Sequence, residues 1–205
     1  MNDDRKRNIL IIAEGYEEKP YIDKLLSFPN INKDVYNISP AVNVKGSGNI
    51  DARFYYEMQR GYYDIILIFC DVDKGSEEFW KIVEKVSVFF VNKETALEAF
   101  IFVNPVTLQV VLLHYGDVCL THISKKKNAE AVENLTGIKG YDAEDEQIKK
   151  LIDGVHFHSL DMFKERLGKM STNINDVPST NLLLFLERFE SDDPAWIDTI
   201  DKKMV

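Results

Sequence analysis

Ile65-Ile66-Leu67-Ile68-Phe69-Cys70-Asp71-Val72-Asp73 is a run of apolar, mostly β-branched residues that ends at two aspartates. A second run, from Ile9 to Ala13, ends in the same way at Glu14. Runs this apolar are typical of strands buried on both faces of a parallel sheet. Ligands of open α/β sheets bind beyond the carboxyl ends of such strands. We therefore expect Glu14, Asp71 and Asp73 to form one acidic site, although they lie far apart in the sequence.

Strand and helix patterns alternate on either side of these two runs. Strands are predicted over residues 8–13, 38–44, 65–70 and 99–103, and helices over residues 17–28, 50–60 and 76–89. This alternation predicts an α/β fold, with a mostly parallel sheet of about four strands and helices on both faces.

The second half of the chain has a different pattern. An apolar helix is predicted over residues 106–115, and further helices near residues 125–135, 143–152, 159–169 and 179–190. We therefore divide the chain into an α/β core, residues 1–115, and a mainly helical cap on that core, residues 116–205.

The composition is that of an ordinary globular protein, with 205 residues, 45% apolar and 29% charged. No apolar run approaches the roughly 18 residues that a membrane span needs. The N-terminal residues Met1 to Arg7 lead into a strand rather than into a signal peptide. We expect a cytoplasmic protein with no membrane partner. The two cysteines, Cys70 and Cys119, are too few for a disulfide framework or, by themselves, a structural zinc site.

The net charge of −9 argues against tight non-specific binding of nucleic acid, because contacts to phosphate supply most of that affinity. Any contact with nucleic acid is therefore expected to be local, or assisted by a partner. Lys125, Lys126 and Lys127 form the basic cluster outside the N-terminus and are the candidate contacts to a phosphate backbone.

The acidic strand ends favour a divalent cation. Asp71 and Asp73 are two residues apart, so in an extended segment their side chains point the same way. Together with Glu14 they would repel one another unless a cation lay between them. Mg²⁺ prefers oxygen ligands, and such an ion can assist phosphodiester hydrolysis. The sequence thus predicts a site for Mg²⁺ or Mn²⁺. The alternative is that these acids only mark strand ends and cap the helices that follow.

The same residues resemble a known domain. Glu14-Gly15 after the first strand, with Glu18 nearby, and Asp71-Val72-Asp73 after the third strand resemble the TOPRIM domain of topoisomerases, primases and nucleases. The resemblance covers roughly residues 8–115. It implies that Glu14, Asp71 and Asp73 hold Mg²⁺ or Mn²⁺, with Glu14 acting as a metal ligand or general base and Glu18 as an accessory group.

Within that superfamily the chain is most similar to RloB-like proteins, which are associated with bacterial restriction and phage defence. The similar segments are Asp71 to Lys74 and Asn104 to His114. Lys74 follows the D-x-D pair and would either contact the scissile phosphate or be a structurally neutral, exposed lysine. His114 would act as an acid, base or phosphate contact, or would simply close its helix. Where the family has a glutamate, this chain has Leu108.

Three functions remain open at this point. The first is a metal-dependent nuclease that cuts RNA or DNA in a defence context. The second is a degenerate, non-catalytic TOPRIM module that serves as a regulatory or interaction subunit, which Leu108 and the net charge favour. The third is a transferase that uses D-x-D to bind a nucleotide sugar through a metal. A protein partner or a homo-oligomer is compatible with the first two.

Overall fold

The fold is built on one sheet, which contains the two apolar runs identified above. The structure is a computed structural model that describes residues 5–73, 75–117, 121–155 and 158–200. Its strands are β1 (Arg7–Ala13), β2 (Tyr36–Ile38), β3 (Val42–Asn43), β4 (Ile65–Asp71), β5 (Phe100–Asn104) and β6 (Ser179–Thr180).

The strands follow the order β2-β1-β4-β5-β6, and β3 also pairs with β1. All these pairs are parallel except β5 with β6. In β1, residues Ile9 to Ala13 are all buried. Neighbouring side chains in a strand point to opposite faces, so both faces of the sheet are covered. The carboxyl ends of β1, β4 and β5 meet at one edge, where Ala13 pairs with Phe69 and Asp71 with Val103.

The prediction of a mostly parallel α/β fold is confirmed, but its strand count is wrong: the sheet has six strands rather than four. The predicted strand over residues 38–44 is two short strands, β2 and β3, separated at Pro40. Proline has no N–H to donate to a sheet, so it interrupts the pairing there. The sixth strand, β6, has two residues, which is too short to show any periodicity.

The helices form two groups that contact the sheet. Those of the first half are α1 (Glu18–Leu25), α2 (Ile50–Arg60), α3 (Ser76–Ser87), α4 (Lys93–Leu97) and α5 (Leu108–Leu113). Those of the second half are α6 (Ala129–Thr136), α7 (Asp145–Gly154), α8 (Leu160–Leu167), α9 (Leu182–Glu190) and α10 (Ala195–Asp198). Short 3₁₀ helices cover Ser47–Asn49 and Lys125–Asn128. No helix in the described part of the chain is both long enough and apolar enough to cross a membrane.

The second half of the chain is joined closely to the first. Helix α7 packs on α1, and α8 packs on α5. The Asn181 side chain accepts a hydrogen bond from the backbone N–H of Phe102 and donates one to the carbonyl of Phe100, so it fixes the start of α9 against β5. These contacts place residues of the second half beside the carboxyl ends of the strands.

Candidate functional site

A cavity of about 310 Å³ lies at the carboxyl ends of β1 and β4. Six acidic residues line it: Glu14, Glu17, Glu18, Asp71, Asp73 and Asp145. The three acids that the strand ends predicted, Glu14, Asp71 and Asp73, are therefore brought to the same cavity, together with the accessory Glu18.

Glu14 is fixed by the backbone on both sides. Its N–H donates to the carbonyl of Phe69 on β4 (3.1 Å), which continues the parallel pairing one residue past β1. Its carbonyl accepts from the N–H of Gly46 (2.7 Å), which also lines the cavity. Gly46 has φ +118°, a conformation that L side chains rarely adopt, so this position favours glycine. The loop before α2 is thereby held next to the end of β1.

Asp71, the last residue of β4, has two side-chain partners. The Thr107 hydroxyl donates a 2.6 Å hydrogen bond to its Oδ1. The Glu18 carboxyl, in the first turn of α1 and only 7% exposed, lies close enough to act on its pKa. Burial, and then the charge of Glu18, raise the pKa of Asp71 well above its usual value. Two charged carboxylates this close repel each other, which favours either a bound cation or protonation of one of them.

Gly15 makes this arrangement possible. A Cβ atom at this position would lie 2.6 Å from Oε2 of Glu18, closer than two such atoms can approach. The backbone of Gly15 has no left-handed conformation that would require glycine by itself. The close approach of the Glu18 carboxyl is therefore what the glycine accommodates.

These residues fit a hard divalent cation by donor type. Glu14, Glu18, Asp71 and Asp73 offer only oxygen ligands, the kind that Mg²⁺ and Mn²⁺ prefer. In the described ranges, no three His, Cys, Asp or Glu side chains are already grouped as a metal-binding set. The carboxylates would have to turn toward a cation, and Asp71 would have to be ionised.

Cys70 precedes Asp71 but is a poor ligand for a metal. Burial, followed by the negative charges of Glu14 and the other nearby carboxylates, raises the pKa of its thiol well above the usual value. A metal ligand must be the thiolate, so Cys70 is an apolar core residue.

Part of the lining of the cavity comes from α5 and the residues before it. Val106 and Leu108 both line the cavity, and Leu108 is only 4% exposed. Leu108 thus stands at the site itself, at the position where the resemblance leads us to expect a glutamate. Gln109 is no substitute, because its Oε1 accepts a hydrogen bond from the N–H of Thr121 away from the carboxylates.

The basic cluster lies beside the cavity. Lys125 to Asn128 form a 3₁₀ helix, and His122 and Asn128 line the cavity. Lys127 is exposed, with its Nζ 3.5 Å from Nε2 of His122. The side chains of Lys125 and Lys126 lie outside the described residues, as does the whole of Lys74.

His114 does not line the cavity. It is 1% exposed and lies in the core, with its ring stacked on Phe163 at a centroid distance of 3.6 Å. Its Nε2 lies 3.1 Å from the hydroxyl of Tyr21. Burial, with smaller contributions from His158 and Arg166, lowers the pKa of His114 to about 3. The ring is therefore neutral, so it is not a cation stabilised by the helix dipole.

Sequence reasoning missed several residues that line or support the site: Thr107, His122, Asn128, Tyr141 and Asp145. Thr107 lies directly before α5, inside the segment Asn104 to His114 that carries the resemblance. This location is the sequence feature that could have identified it as a site residue. Tyr141 is buried. Its burial and, to a smaller extent, the charge of Glu17 raise the pKa of its hydroxyl, so the phenol is neutral. Asp145 starts α7 and had the pattern of a solvated helix end.

Comparison with profiles of known protein families, with curated proteins and with solved structures finds no match. The family and the function of this chain are therefore proposals that depend on the residues described above.

Proposed function

We propose that this chain is a metal-dependent nuclease of the TOPRIM type, RloB-like, that hydrolyses phosphodiester bonds of RNA or DNA in bacterial defence. One observation carries the proposal: Glu14, Glu18, Asp71 and Asp73 line a single cavity at the carboxyl ends of neighbouring parallel strands. Carboxylates grouped in one cavity repel one another, and a divalent cation would remove that repulsion.

Glu14, Asp71 and Asp73 would hold Mg²⁺ or Mn²⁺, with Glu18 beside Asp71. When bound, such a cation neutralises charge on the phosphate and activates water as the nucleophile. Thr107 fixes the orientation of Asp71 through its hydroxyl. The Tyr141 phenol, which burial keeps protonated, is available to donate a hydrogen bond to a phosphate oxygen. His122, which lines the cavity, and Lys127 next to it would contact the phosphate backbone.

Hydrolysis by the purified full chain tests the proposal directly. We expect Mg²⁺- or Mn²⁺-dependent cleavage of bis(p-nitrophenyl) phosphate and of single-stranded RNA or DNA. Asp71→Asn should lower the rate by at least about 100-fold, the scale of several kcal/mol of lost charge stabilisation. Asp161→Asn, on the exposed face of α8, is the matched control. The proposal fails if the chain cleaves nothing with either metal, or if both variants cleave equally fast.

A second candidate is a non-catalytic TOPRIM module that acts as a regulatory or interaction subunit, alone or in a homo-oligomer. Leu108 favours it, because an apolar side chain fills the wall of the cavity where an acid is expected. A ligand that binds only the folded state must stabilise it. A chain that shows neither hydrolysis nor a rise in melting temperature with Mn²⁺ would belong to this class. A nucleotide-sugar transferase stays a prediction from the D-x-D pattern alone.

A further inference from the structure

A second cavity, of about 610 Å³, runs between α1 and α7 and opens beside the acidic one. The two cavities share Tyr16, Asp145 and Ile148 as lining residues. We name this second cavity the α1–α7 groove; its other principal walls are Lys24, Lys149 and Ile152. A polymer whose reacting phosphate lay among the carboxylates would therefore have a continuous surface along which its neighbouring unit could lie.

The side chains that line the groove suit the binding of a flat ring. Ile148 and Ile152 form an apolar floor and are themselves almost wholly buried. Tyr16, at the junction of the two cavities, is 66% exposed, so its ring contributes little to the core. An exposed aromatic ring beside an apolar floor suits a nucleobase, which has an apolar face of similar size.

The groove also carries cationic groups that have no partner. In the part of the chain that the structure describes, the ammonium groups of Lys24 and Lys149 make no hydrogen bond or ion pair. Lys19 differs, because its Nζ contacts Asp23 at 2.5 Å. With Asp145 and Asp153 also present, the groove is close to neutral, whereas the adjoining cavity is strongly acidic. Lys24 and Lys149 therefore offer ammonium groups to a phosphate that lies in the groove beside the acidic cavity.

We infer that the α1–α7 groove binds the nucleotide next to the scissile phosphate of a single-stranded nucleic acid. This inference rests on the proposed nuclease function. The base of that nucleotide lies against Tyr16 and the isoleucine floor, and its outer phosphate lies near Lys24 and Lys149. A base in a duplex is stacked and paired, so it is not available to lie on Tyr16. The groove therefore selects single strands over duplexes.

Binding to the Asp71→Asn variant tests the inference without cleavage. The probes are fluorescent single-stranded RNA and DNA of about 10 nucleotides, within the span of known single-strand sites. The same sequences as duplexes and a free nucleoside monophosphate are the comparison ligands. We expect the single strands to bind at least about tenfold more tightly than the duplexes, because stacking on an aromatic ring requires a free base.

Further substitutions in the Asp71→Asn variant test whether the α1–α7 groove is the binding site. Tyr16→Ala should weaken single-strand binding about tenfold, and Tyr16→Phe should restore it, because the ring alone supports stacking. Tyr62→Ala, at an equally exposed tyrosine that lines neither cavity, should bind like the parent. The binding constant for single strands should fall with rising salt concentration, and the steepness of log binding constant against log salt should decrease by about 0.7 in Lys24→Ala and in Lys149→Ala. Lys85→Ala on α3 should leave this steepness unchanged.

The outcomes separate this inference from the proposed function. Binding by Asp71→Asn that is insensitive to Tyr16, Lys24 and Lys149, or no binding at all, overturns the groove assignment. Equal affinity for the free nucleotide and the single strand overturns it as well, because the occupant would then be a free nucleotide. If the wild-type chain hydrolyses nothing while Tyr16→Ala still weakens binding, the proposed nuclease function fails and the binding site stands.

Discussion

The Thr107 hydroxyl donates a 2.6 Å hydrogen bond to Oδ1 of Asp71, and this contact joins the residue before α5 to the end of β4. Thr107 is fully buried, so the bond has no competition from water. Its effect is to hold one oxygen of Asp71 in place, which leaves the other carboxylate oxygen to face Glu18 or a cation.

Replacing Thr107 tests whether this orientation matters. Thr107→Val keeps the shape of the side chain but removes the donor. Hydrogen bonds to charged groups contribute about 1.5–3 kcal/mol, so Mn²⁺-dependent hydrolysis should fall about tenfold or more. Thr107→Ser keeps the donor and should retain most of the activity. Equal rates for the valine and serine variants would show that the hydroxyl has no part in the site.

Gly15→Ala tests the close approach of the Glu18 carboxyl. The added Cβ would meet Oε2 of Glu18 at 2.6 Å, and the flexible glutamate can move away. We therefore expect a change of less than about 1 kcal/mol in stability, but weaker Mn²⁺ binding, measured by calorimetry. Gly48→Ala is the matched control, because a Cβ there meets nothing within 4 Å. Unchanged Mn²⁺ affinity in Gly15→Ala would exclude Glu18 from the site.

Leu108→Glu supplies the acid that the resemblance leads us to expect. A further carboxylate in a buried acidic cavity should lower the melting temperature without metal, compared with the uncharged Leu108→Gln. The rise in melting temperature on addition of Mn²⁺ should be larger in Leu108→Glu than in Leu108→Gln. If Mn²⁺ stabilises the two variants equally, position 108 does not contribute to the metal site.

The lowered pKa of His114 predicts how the stability of the folded chain changes with pH. Its pKa is lowered from 6.5 to about 3 in the folded chain, so below pH 6.5 the unfolded chain binds a proton that the folded chain does not. The contribution of His114 to the free energy of unfolding is therefore fully present above pH 6.5 and is lost as the pH falls toward 3. At pH 5 the loss is about 2 kcal/mol.

The matched measurement is the free energy of unfolding at pH 7 and pH 5 in the wild type and in His114→Gln. Glutamine does not titrate, so the variant should lose about 2 kcal/mol less between these two pH values. All other titrating groups are common to both chains. An equal loss in both would contradict the assignment of His114 as a buried neutral ring.

The features predicted well from sequence are those set by long apolar runs. β1 and β4 were recognisable because Ile9 to Ala13 and Ile65 to Cys70 have no polar residue, as strands covered on both faces require. Their parallel pairing then brings Glu14 and Asp71 to the same edge of the sheet. The position of this acidic cluster thus follows from the two runs and the topology.

The features that were missed depend on contacts between distant segments. β6 has two residues, and it is a strand only because β5 lies beside it. Thr107 matters through one hydrogen bond that no periodicity reveals. His122, Asn128 and Tyr141 lie in irregular segments or at helix ends, and only the tertiary fold brings them to the cavity. Such tertiary placement leaves no signal in the local sequence.

A crystal structure of the full chain grown with Mn²⁺ tests the central claim most directly. Anomalous scattering locates Mn²⁺ without assuming its ligands. We predict one peak in the acidic cavity, about 2.1 Å from oxygens of Glu14, Asp71 and at least one of Asp73 and Glu18. The absence of any anomalous peak between β1 and β4 at saturating Mn²⁺ would contradict the account.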